Sequence, residues 1–408
     1  MKQPHRRIRY SGFTLIELMI SMVIGLLILL TLITLLVNVS RNNSEMSKTN
    51  QIIENGRFAL QLLQADISHA GYWGGYVPQF DDLSLGTTAV PNDVPTAVPN
   101  PCLAYTDWLI APNIIPSVTS YVSNLIGIAV QSYEIPAVVP SPTLSVCASR
   151  VTSPKASTDV LVVRHVESCV PGDGNCLVYN ASNLYLQVAR NGTAAPNPAY
   201  VLSEDASLLT LQKRDGTIAE LRKFVSSLYY IRNFSVTAGD GIPTLMRSQF
   251  DLSGGQLVHK SAEALIEGIE GFRVEFGIDN ISDAGTNTIT GTDLAGTIAA
   301  ANLHSAAIKW AVTTPVNTSP TNRGDGSPDG AYIRCTTAVP CTAAQLMNVV
   351  AVKLYVLVRS ATLTPGYSDA KTYILGSTTL GPYNDGFKRH LFTQTIRLTN
   401  VSTRRETP

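Results

Sequence analysis

The dominant feature of the hydrophobic pattern is an apolar run from Phe13 to Val39, in which Glu17 is the only charged residue. About 20 apolar residues are enough to cross the hydrocarbon core of a bilayer, so the 27 positions of this run predict a membrane-spanning helix. The residues ahead of the run include lysine and arginine but no acidic residue. This asymmetry predicts a cytoplasmic N-terminus and an exported remainder.

A helical pattern continues beyond the apolar run, from Ser40 to Ala70. Apolar residues recur there at roughly helical spacing among polar ones, namely Ile52, Ile53, Phe58, Leu62, Leu63 and Ile67. Because the chain has no proline between Pro4 and Pro78, nothing forces a break. We therefore expect one helix from residue 13 to residue 70, roughly 87 Å long at about 1.5 Å per residue, with its second half against a globular domain.

The rest of the chain alternates between loop-rich and strand-rich segments. Eleven of the 23 prolines lie between Val77 and Pro154, a density that excludes long regular elements and predicts a loop insertion with a few short strands or one short helix. Predicted strands follow at Val160–Val166, Leu177–Val188, Leu228–Val236, Leu245–Leu252, Gly271–Ile278, Leu346–Ser360 and Leu391–Val401. The segment Ala262–Gly268 fits either a helical turn or a bulged strand.

A second loop insertion is expected between Asp279 and Gln345, where Thr, Asn, Ser and Gly dominate. A short helix from Ala295 to Trp310 could interrupt it. The fold class that follows is α+β, with a long N-terminal helix packed on an antiparallel sheet that carries large loop insertions.

Composition narrows the function. The chain has no net charge and only 15% charged residues, so it carries no electrostatic footprint for nucleic acid, whereas 45% hydrophobic residues support a sizeable core. No motif of a nucleophilic hydrolase, zinc peptidase or nucleotide-binding loop occurs, and the six histidines form no ligand-spaced pair. We therefore predict a protein that is not an enzyme and that binds no cofactor.

Six cysteines lie in the part of the chain that we expect to be exported, where disulfides form. Cys169 and Cys176 bracket a turn-rich loop, and Cys335 and Cys341 bracket another short one, which leaves Cys102 and Cys147 to pair by elimination. Six cysteines allow about 15 connectivities, so this pairing is one hypothesis among several. Neither short spacing is that of a zinc site.

One loop resembles the start of a calcium-binding loop. Asp325, Ser327 and Asp329 supply oxygen atoms at positions 1, 3 and 5, and a glycine follows at position 6. Position 12 is Thr336 instead of the glutamate that closes such a site. This departure favours a polar turn over a metal site.

Two simple interpretations of the apolar run are a secretory signal peptide and a plain membrane anchor, and neither accounts for Glu17. The run is longer than the h-region of a secretory signal peptide, and no small-residue cleavage site closes it. A simple membrane anchor fits the length but gives no reason for a carboxylate in the bilayer, which needs a cation or a hydrogen-bond donor as a partner.

The motif Gly12-Phe13-Thr14-Leu15-Ile16-Glu17, behind a basic leader, resembles the class III signal of type IV pilins and type II secretion pseudopilins. The resemblance implies that a prepilin peptidase cuts between Gly12 and Phe13, that Phe13 becomes the methylated N-terminus, and that Glu17 is the glutamate at the fifth mature position. A neighbouring subunit's N-terminal amine would then pair with Glu17 and set the axial register during assembly.

Further short sequence segments resemble those of the PilW family of minor pilins. They are Asn55-Gly56-Arg57-Phe58-Ala59-Leu60, Ala65-Asp66-Ile67 and Ala70-Gly71-Tyr72-Trp73-Gly74 near the start, with Val349–Ser360, Lys371-Thr372-Tyr373 and Thr395–Asn400 in the C-terminal half. The domain organisation that we expect is a leader at 1–12, a transmembrane helix at 13–39, its periplasmic continuation at 40–71, an insertion at 72–157 and a β domain at 158–408 with a second insertion at about 279–345.

The resemblance implies a minor pilin of the inner membrane with a periplasmic C-terminal domain, displayed at the pilus tip or cell surface after assembly. Expected partners are other minor pilins and pilus subunits, the prepilin peptidase and the inner-membrane assembly platform, in an initiation or tip complex that supports adhesion, twitching motility or DNA uptake. Two alternatives stay open: a J-type pseudopilin of type II secretion, and a receptor-binding adhesin module formed by the insertions.

Overall fold

The computed structural model describes residues 12, 14–81, 93–108, 121–137, 147–189, 199–281 and 324–405. By its contacts the chain divides into two units, Met1–Gln51 and Ile52–Pro408. The first unit consists, in its described part, of the N-terminal portion of helix α1, which runs from Leu15 to His69. The second contains the end of α1 and all the strands.

Helix α1 begins and ends at residues suited to those positions. Thr14 precedes the first turn, and its side chain and backbone both bond to Glu17. At the other end Gly71 has a φ of +74°, a left-handed conformation that glycine adopts without strain and that commonly terminates helices. The Gly71 backbone N–H then donates to the carbonyl of Arg164, 3.0 Å away, so the chain leaves the helix directly onto a strand.

The larger sheet has eight described strands. Its central path runs β1-β2-β5-β3-β4, and β6 pairs with β5 and carries β7 and β8. The pairings between these strands are antiparallel. The strands are β1 (Val130–Ile135), β2 (Thr158–Val166), β3 (Tyr185–Val188), β4 (Tyr200–Ser203), β5 (Leu221–Arg232), β6 (Thr244–Ser253), β7 (Gln256–His259) and β8 (Glu263–Glu267).

A second sheet has three strands in the order β13-β10-β9, again antiparallel, and a hairpin of two strands lies between β10 and β13 in the sequence. The strands are β9 (Ile269–Ile278), β10 (Val349–Arg359), β11 (Tyr373–Leu375), β12 (Thr378–Leu380) and β13 (Arg389–Arg397). Short helices complete the described elements: α2 (Tyr121–Gly127), α3 (Ala343–Leu346), α4 (Thr399–Ser402), and 3₁₀ turns at Gln79–Asp81, Tyr105–Trp108 and Ala206–Leu208.

The main core lies where the end of α1 meets both sheets. Ile52, Ala59, Leu63 and Ile67 form the buried stripe of the helix at spacings of four to seven residues. They join one apolar cluster with residues of β1, β2, β5, β9 and β10. A second cluster, rich in aromatic rings, forms between the chain after α1 and strands β3 to β7. The predicted α+β architecture is therefore confirmed.

Some predicted elements differ in extent. The predicted strand Leu177–Val188 begins only at Tyr185. Leu177 and Val178 are about four-fifths exposed and directly follow the loop closed by the Cys169–Cys176 disulfide. Strand β1 falls inside the segment 72–157 that was expected to be an insertion, yet it pairs with β2 along its whole length. The sheet thus starts before residue 158. Residues 263–267 form a strand and not a helical turn. The predicted helix Ala295–Trp310 lies outside the described residues.

Candidate functional site

The candidate assembly site at the start of the chain is built around the first turn of α1. The backbone N–H of Thr14 lies 2.9 Å from Oε2 of Glu17, and the Thr14 hydroxyl donates to the same oxygen at 2.8 Å. The backbone N–H of Glu17 points back to the Thr14 hydroxyl at 3.4 Å. This reciprocal pattern is a capping box, which satisfies N–H groups that the first turn of a helix leaves unpaired. Gly12 lies just before it without regular structure, and Phe13 lies outside the described residues.

The segment that follows is apolar on all sides. Its large side chains from Leu15 to Val39 are between 47% and 80% exposed. Among the described residues α1 is one helix long and apolar enough to cross a membrane. Such a surface suits lipid or the equivalent helices of other subunits. Glu17 is therefore a carboxylate at the edge of an apolar surface, held by its neighbour Thr14.

Two contacts fasten the middle of α1, one to the end of β8 in the larger sheet and one to β13 in the second sheet. The Asn55 side chain donates to the backbone carbonyl of Glu267 at 2.9 Å, next to the turn between β8 and β9. Gly56 faces the ring of Phe392 on β13, and a β-carbon at this position would lie only 2.2 Å from the ring. A glycine thus permits a close approach of helix and strand that no larger residue allows without a shift.

A polar cluster fastens the end of α1 to the first sheet. The carboxylate of Asp66 lies 2.8 Å from Nε2 of His165 on β2, and its other oxygen accepts a 2.8 Å hydrogen bond from the hydroxyl of Tyr229 on β5. Burial alone would lower the pKa of the His165 imidazole, but its hydrogen bond to Asp66 and the charge of that carboxylate raise it above the ordinary value. Burial and the same charge raise the pKa of Tyr229. The cluster therefore favours the protonated form of His165.

The cysteines form three disulfides in the described residues. They join Cys102 to Cys147, Cys169 to Cys176 and Cys335 to Cys341, with Cα–Cα distances of 5.2, 5.7 and 5.0 Å. These are the pairs arranged above from the loop spacing. Two of them close loops of six and seven residues in sequence separation, and the third ties the Pro-rich segment back to the region just before β2.

The calcium-like loop uses its carboxylates for the backbone. Oδ1 of Asp325 accepts from the N–H of Ser327, and Oδ2 of Asp329 accepts from the N–H groups of Asn280 and Ile281. Within the described part of the chain, no group of three or more His, Cys, Asp or Glu side chains could hold a metal ion. Asp325, Ser327 and Asp329 accordingly have the contacts of a polar turn.

The described histidines are placed in different environments. His259 on β7 is fully buried, and burial lowers its pKa to about 3, so it is a neutral core residue. His69 and His390 are exposed, and His165 belongs to the cluster with Asp66. His5 and His304 lie outside the described residues. The ring nitrogens of His259 lie 3.4 Å from the hydroxyl of Ser226 and 3.3 Å from that of Ser248, and all three residues are buried in the core.

Sequence reasoning missed four of these contacts. Thr14 was quoted only as part of a motif, although a threonine three residues before a glutamate is the known sequence signal of a capping box. Asn55, Gly56 and Asp66 were quoted only as parts of short segments that resemble the PilW family. No sequence signal links Asp66 to His165, because their partnership depends on how the helix docks on β2.

Comparison with known proteins finds family models that match two separate parts of the chain. Residues 228–400 match the family model described as Type IV Pilus-assembly protein W, and residues 7–33 match the Prokaryotic N-terminal methylation motif. The first match contains the C-terminal part of β5 and all of β6 to β13, and the second contains Gly12, Phe13 and Glu17. No curated protein matches the chain.

A solved structure is also similar, the type IV-like pilin TTHA1219 from Thermus thermophilus. It is 12% identical, the alignment covers 61% of this chain and 82% of that one, and the TM-score is 0.23. A similarity of this degree adds nothing to the assignment. The assignment depends on the two family-model matches, one of which is the methylation motif at the start of helix α1. Residues 228–400 are similar to the type IV pilus-assembly protein W (PilW) family and residues 7–33 to the prepilin methylation motif, and together these matches support a minor pilin role in pilus assembly.

Proposed function

We propose that this minor pilin acts in the complex that initiates the pilus and remains at or near its tip. The observation that carries the proposal is the combination of a prepilin-type segment with a PilW domain that bears large additional segments. Bulky additions are hard to repeat along a densely packed filament but are compatible with a position occupied once. The role is structural, and adhesion, twitching motility or DNA uptake would depend on it indirectly.

Maturation is the first step of this proposal. A prepilin peptidase would cut between Gly12 and Phe13 and methylate Phe13, which becomes the N-terminal residue. Gly12 is exposed, and within the described residues, its chain neighbours aside, no atom lies within 4 Å of the position that a β-carbon would take, which is compatible with access by a peptidase. The basic leader would stay in the cytoplasm, and the domain after the membrane helix would fold in the periplasm, where its three disulfides can form.

Assembly would then use Glu17. In the isolated chain its carboxylate is bound by Thr14, through neutral donors only. The N-terminal amine of a neighbouring subunit would offer a charge-assisted hydrogen bond, which is roughly twice as strong as a neutral one. In an apolar environment this stronger hydrogen bond favours the neighbour's amine over Thr14 as the partner of Glu17. The exchange would place the neighbour's N-terminus level with Glu17 and so define the axial step between subunits.

Crosslinking in the native membrane, followed by mass spectrometry, tests the proposed position. We expect crosslinks from the globular unit to other minor pilins and to the assembly platform, in amounts far below those of the main filament subunit. Crosslinks confined to pseudopilins of a secretion system would instead place the chain in type II secretion, the alternative that the N-terminal motif alone leaves open. Crosslinks to many copies of itself along a filament would contradict the tip position.

A further inference from the structure

A cavity of about 310 Å³ lies beside β1, at the edge of the larger sheet. Its walls are three residues of β1 (Ser132–Glu134), the segment around Val98 and Pro101, and the loop closed by the Cys335–Cys341 disulfide, with Leu346 among the lining residues. This volume is at the lower end of the roughly 300–1,000 Å³ that small-molecule sites occupy. The space is far larger than an ordinary packing defect.

The walls of the cavity are fixed from several sides. Oε1 of Glu134 is 2.9 Å from Nη2 of Arg334, and Oε2 of Glu134 accepts a 3.0 Å hydrogen bond from the backbone N–H of Thr337. These bonds hold the disulfide loop against β1. On the opposite wall, Pro101 is followed directly by Cys102, which is bonded to Cys147. A site with walls this constrained loses little conformational entropy when a ligand binds.

A buried polar group of the walls lacks a partner in the described part of the chain. Ser132 is 4% exposed, and its hydroxyl makes no hydrogen bond. Nearby in the lining, Asn100 uses its Oδ1 to accept from the N–H of Cys102 at 3.1 Å. Buried polar groups are nearly always hydrogen-bonded, so an orphaned hydroxyl beside a cavity indicates a missing partner.

The side chains that line the cavity indicate the chemical class of its ligand. Val98, Pro101 and Leu346 offer apolar contact, whereas Asn100, Ser132 and two threonines offer amide and hydroxyl groups that both donate and accept. The single charged lining residue, Glu134, is neutralised by Arg334, so an ionic ligand would have to compete with that pair. From these features we propose that the cavity binds a neutral sugar ring, one unit of a glycan. The proposal goes beyond the assembly role and does not depend on it.

The test uses the full mature chain in lipid nanodiscs and saturation-transfer NMR with methyl glycosides of glucose, galactose, mannose and N-acetylglucosamine. We expect saturable binding of at least one of them. Asn100→Asp keeps the acceptor for Cys102 but removes the amide N–H donors, and should weaken binding about tenfold. Thr337→Trp, at an exposed position of the wall, should abolish binding by filling the cavity.

A matched control is Ser402→Ala. Ser402 is a fully buried serine with an unpaired hydroxyl, like Ser132, but it does not line the cavity. Ser402→Ala should leave glycoside binding unchanged, whereas Ser132→Ala should weaken it several-fold. Absence of saturable binding by all four glycosides overturns the proposal. So does binding that survives Thr337→Trp, or saturation by a blocked neutral dipeptide in place of every glycoside.

Discussion

The close approach of Gly56 to Phe392 sets two physical effects against each other, and their balance can be measured. Gly56→Ala should gain about 1 kcal/mol from helix propensity, because alanine loses less backbone entropy than glycine. The new β-carbon, however, would lie 2.2, 2.5 and 2.6 Å from three ring carbons of Phe392. Carbon atoms in contact are about 3.5–4.0 Å apart, so the ring or the helix must move by more than about 1 Å.

Such overpacking costs about 1–3 kcal/mol, and it should exceed the gain in propensity. The ring of Phe392 is not free to turn away without loss, since it packs edge to face on His390 with ring centroids 4.6 Å apart. We therefore expect Gly56→Ala to lower the free energy of unfolding by up to about 2 kcal/mol. The measurement is urea unfolding of the fragment that begins at Ser40, followed by circular dichroism.

Repeating Gly56→Ala in a Phe392→Ala background tests whether the Phe392 ring causes the destabilisation. In Phe392→Ala the clash is absent, so Gly56→Ala should now stabilise the fragment by about 1 kcal/mol, and the sign of its effect should reverse. The reverse change at an exposed site of the same helix, Ala65→Gly, measures the propensity effect alone and should cost about 1 kcal/mol. An effect of Gly56→Ala that is the same in both backgrounds would refute the reasoning.

Three further predictions concern maturation, assembly and pH. Gly12→Trp should leave a leader-bearing precursor visible on a gel, and normal maturation would contradict the assigned cut. Glu17→Ala should leave that processing intact yet impair piliation, and normal piliation in this variant would exclude a role for Glu17 in register. Because the pKa of His165 is raised on folding, its contribution to stability is complete below the ordinary histidine pKa of about 6.5 and is lost as pH rises through the raised value. The unfolding free energy should fall across that range, whereas His165→Gln, which carries no titrating group, should not show this fall.

The sequence could predict those parts of the fold that depend on local pattern. The absence of proline up to Pro78 and the apolar stripe from Ile52 onward are properties of the helix itself, and they predict a long α1. The strand pattern of β9 and β10 is similarly strong, because both strands are almost wholly buried and rich in Val, Ile, Leu and Phe.

Other features depend on contacts between distant parts of the chain. The strand nature of Val130–Ile135 was hidden among prolines, and only its pairing with β2 makes it part of the sheet. Leu177 and Val178 have strand-like composition, but the disulfide loop before them leaves them in solvent. The pairing of Asp66 with His165 spans 99 positions, so no local pattern could reveal it.

The way α1 is fastened to the rest of its unit has a mechanical consequence. Between residues 55 and 71 the helix and its end are attached to several elements: Asn55 to Glu267, Asp66 to His165, and Gly71 to Arg164. These attachments are spread along the helix axis, so tension applied at its N-terminal end would load them together, in shear, and would not open them one after another. Rupture would then require the buried stripe and the polar bonds to fail in a single event, which is the loading geometry that best resists force.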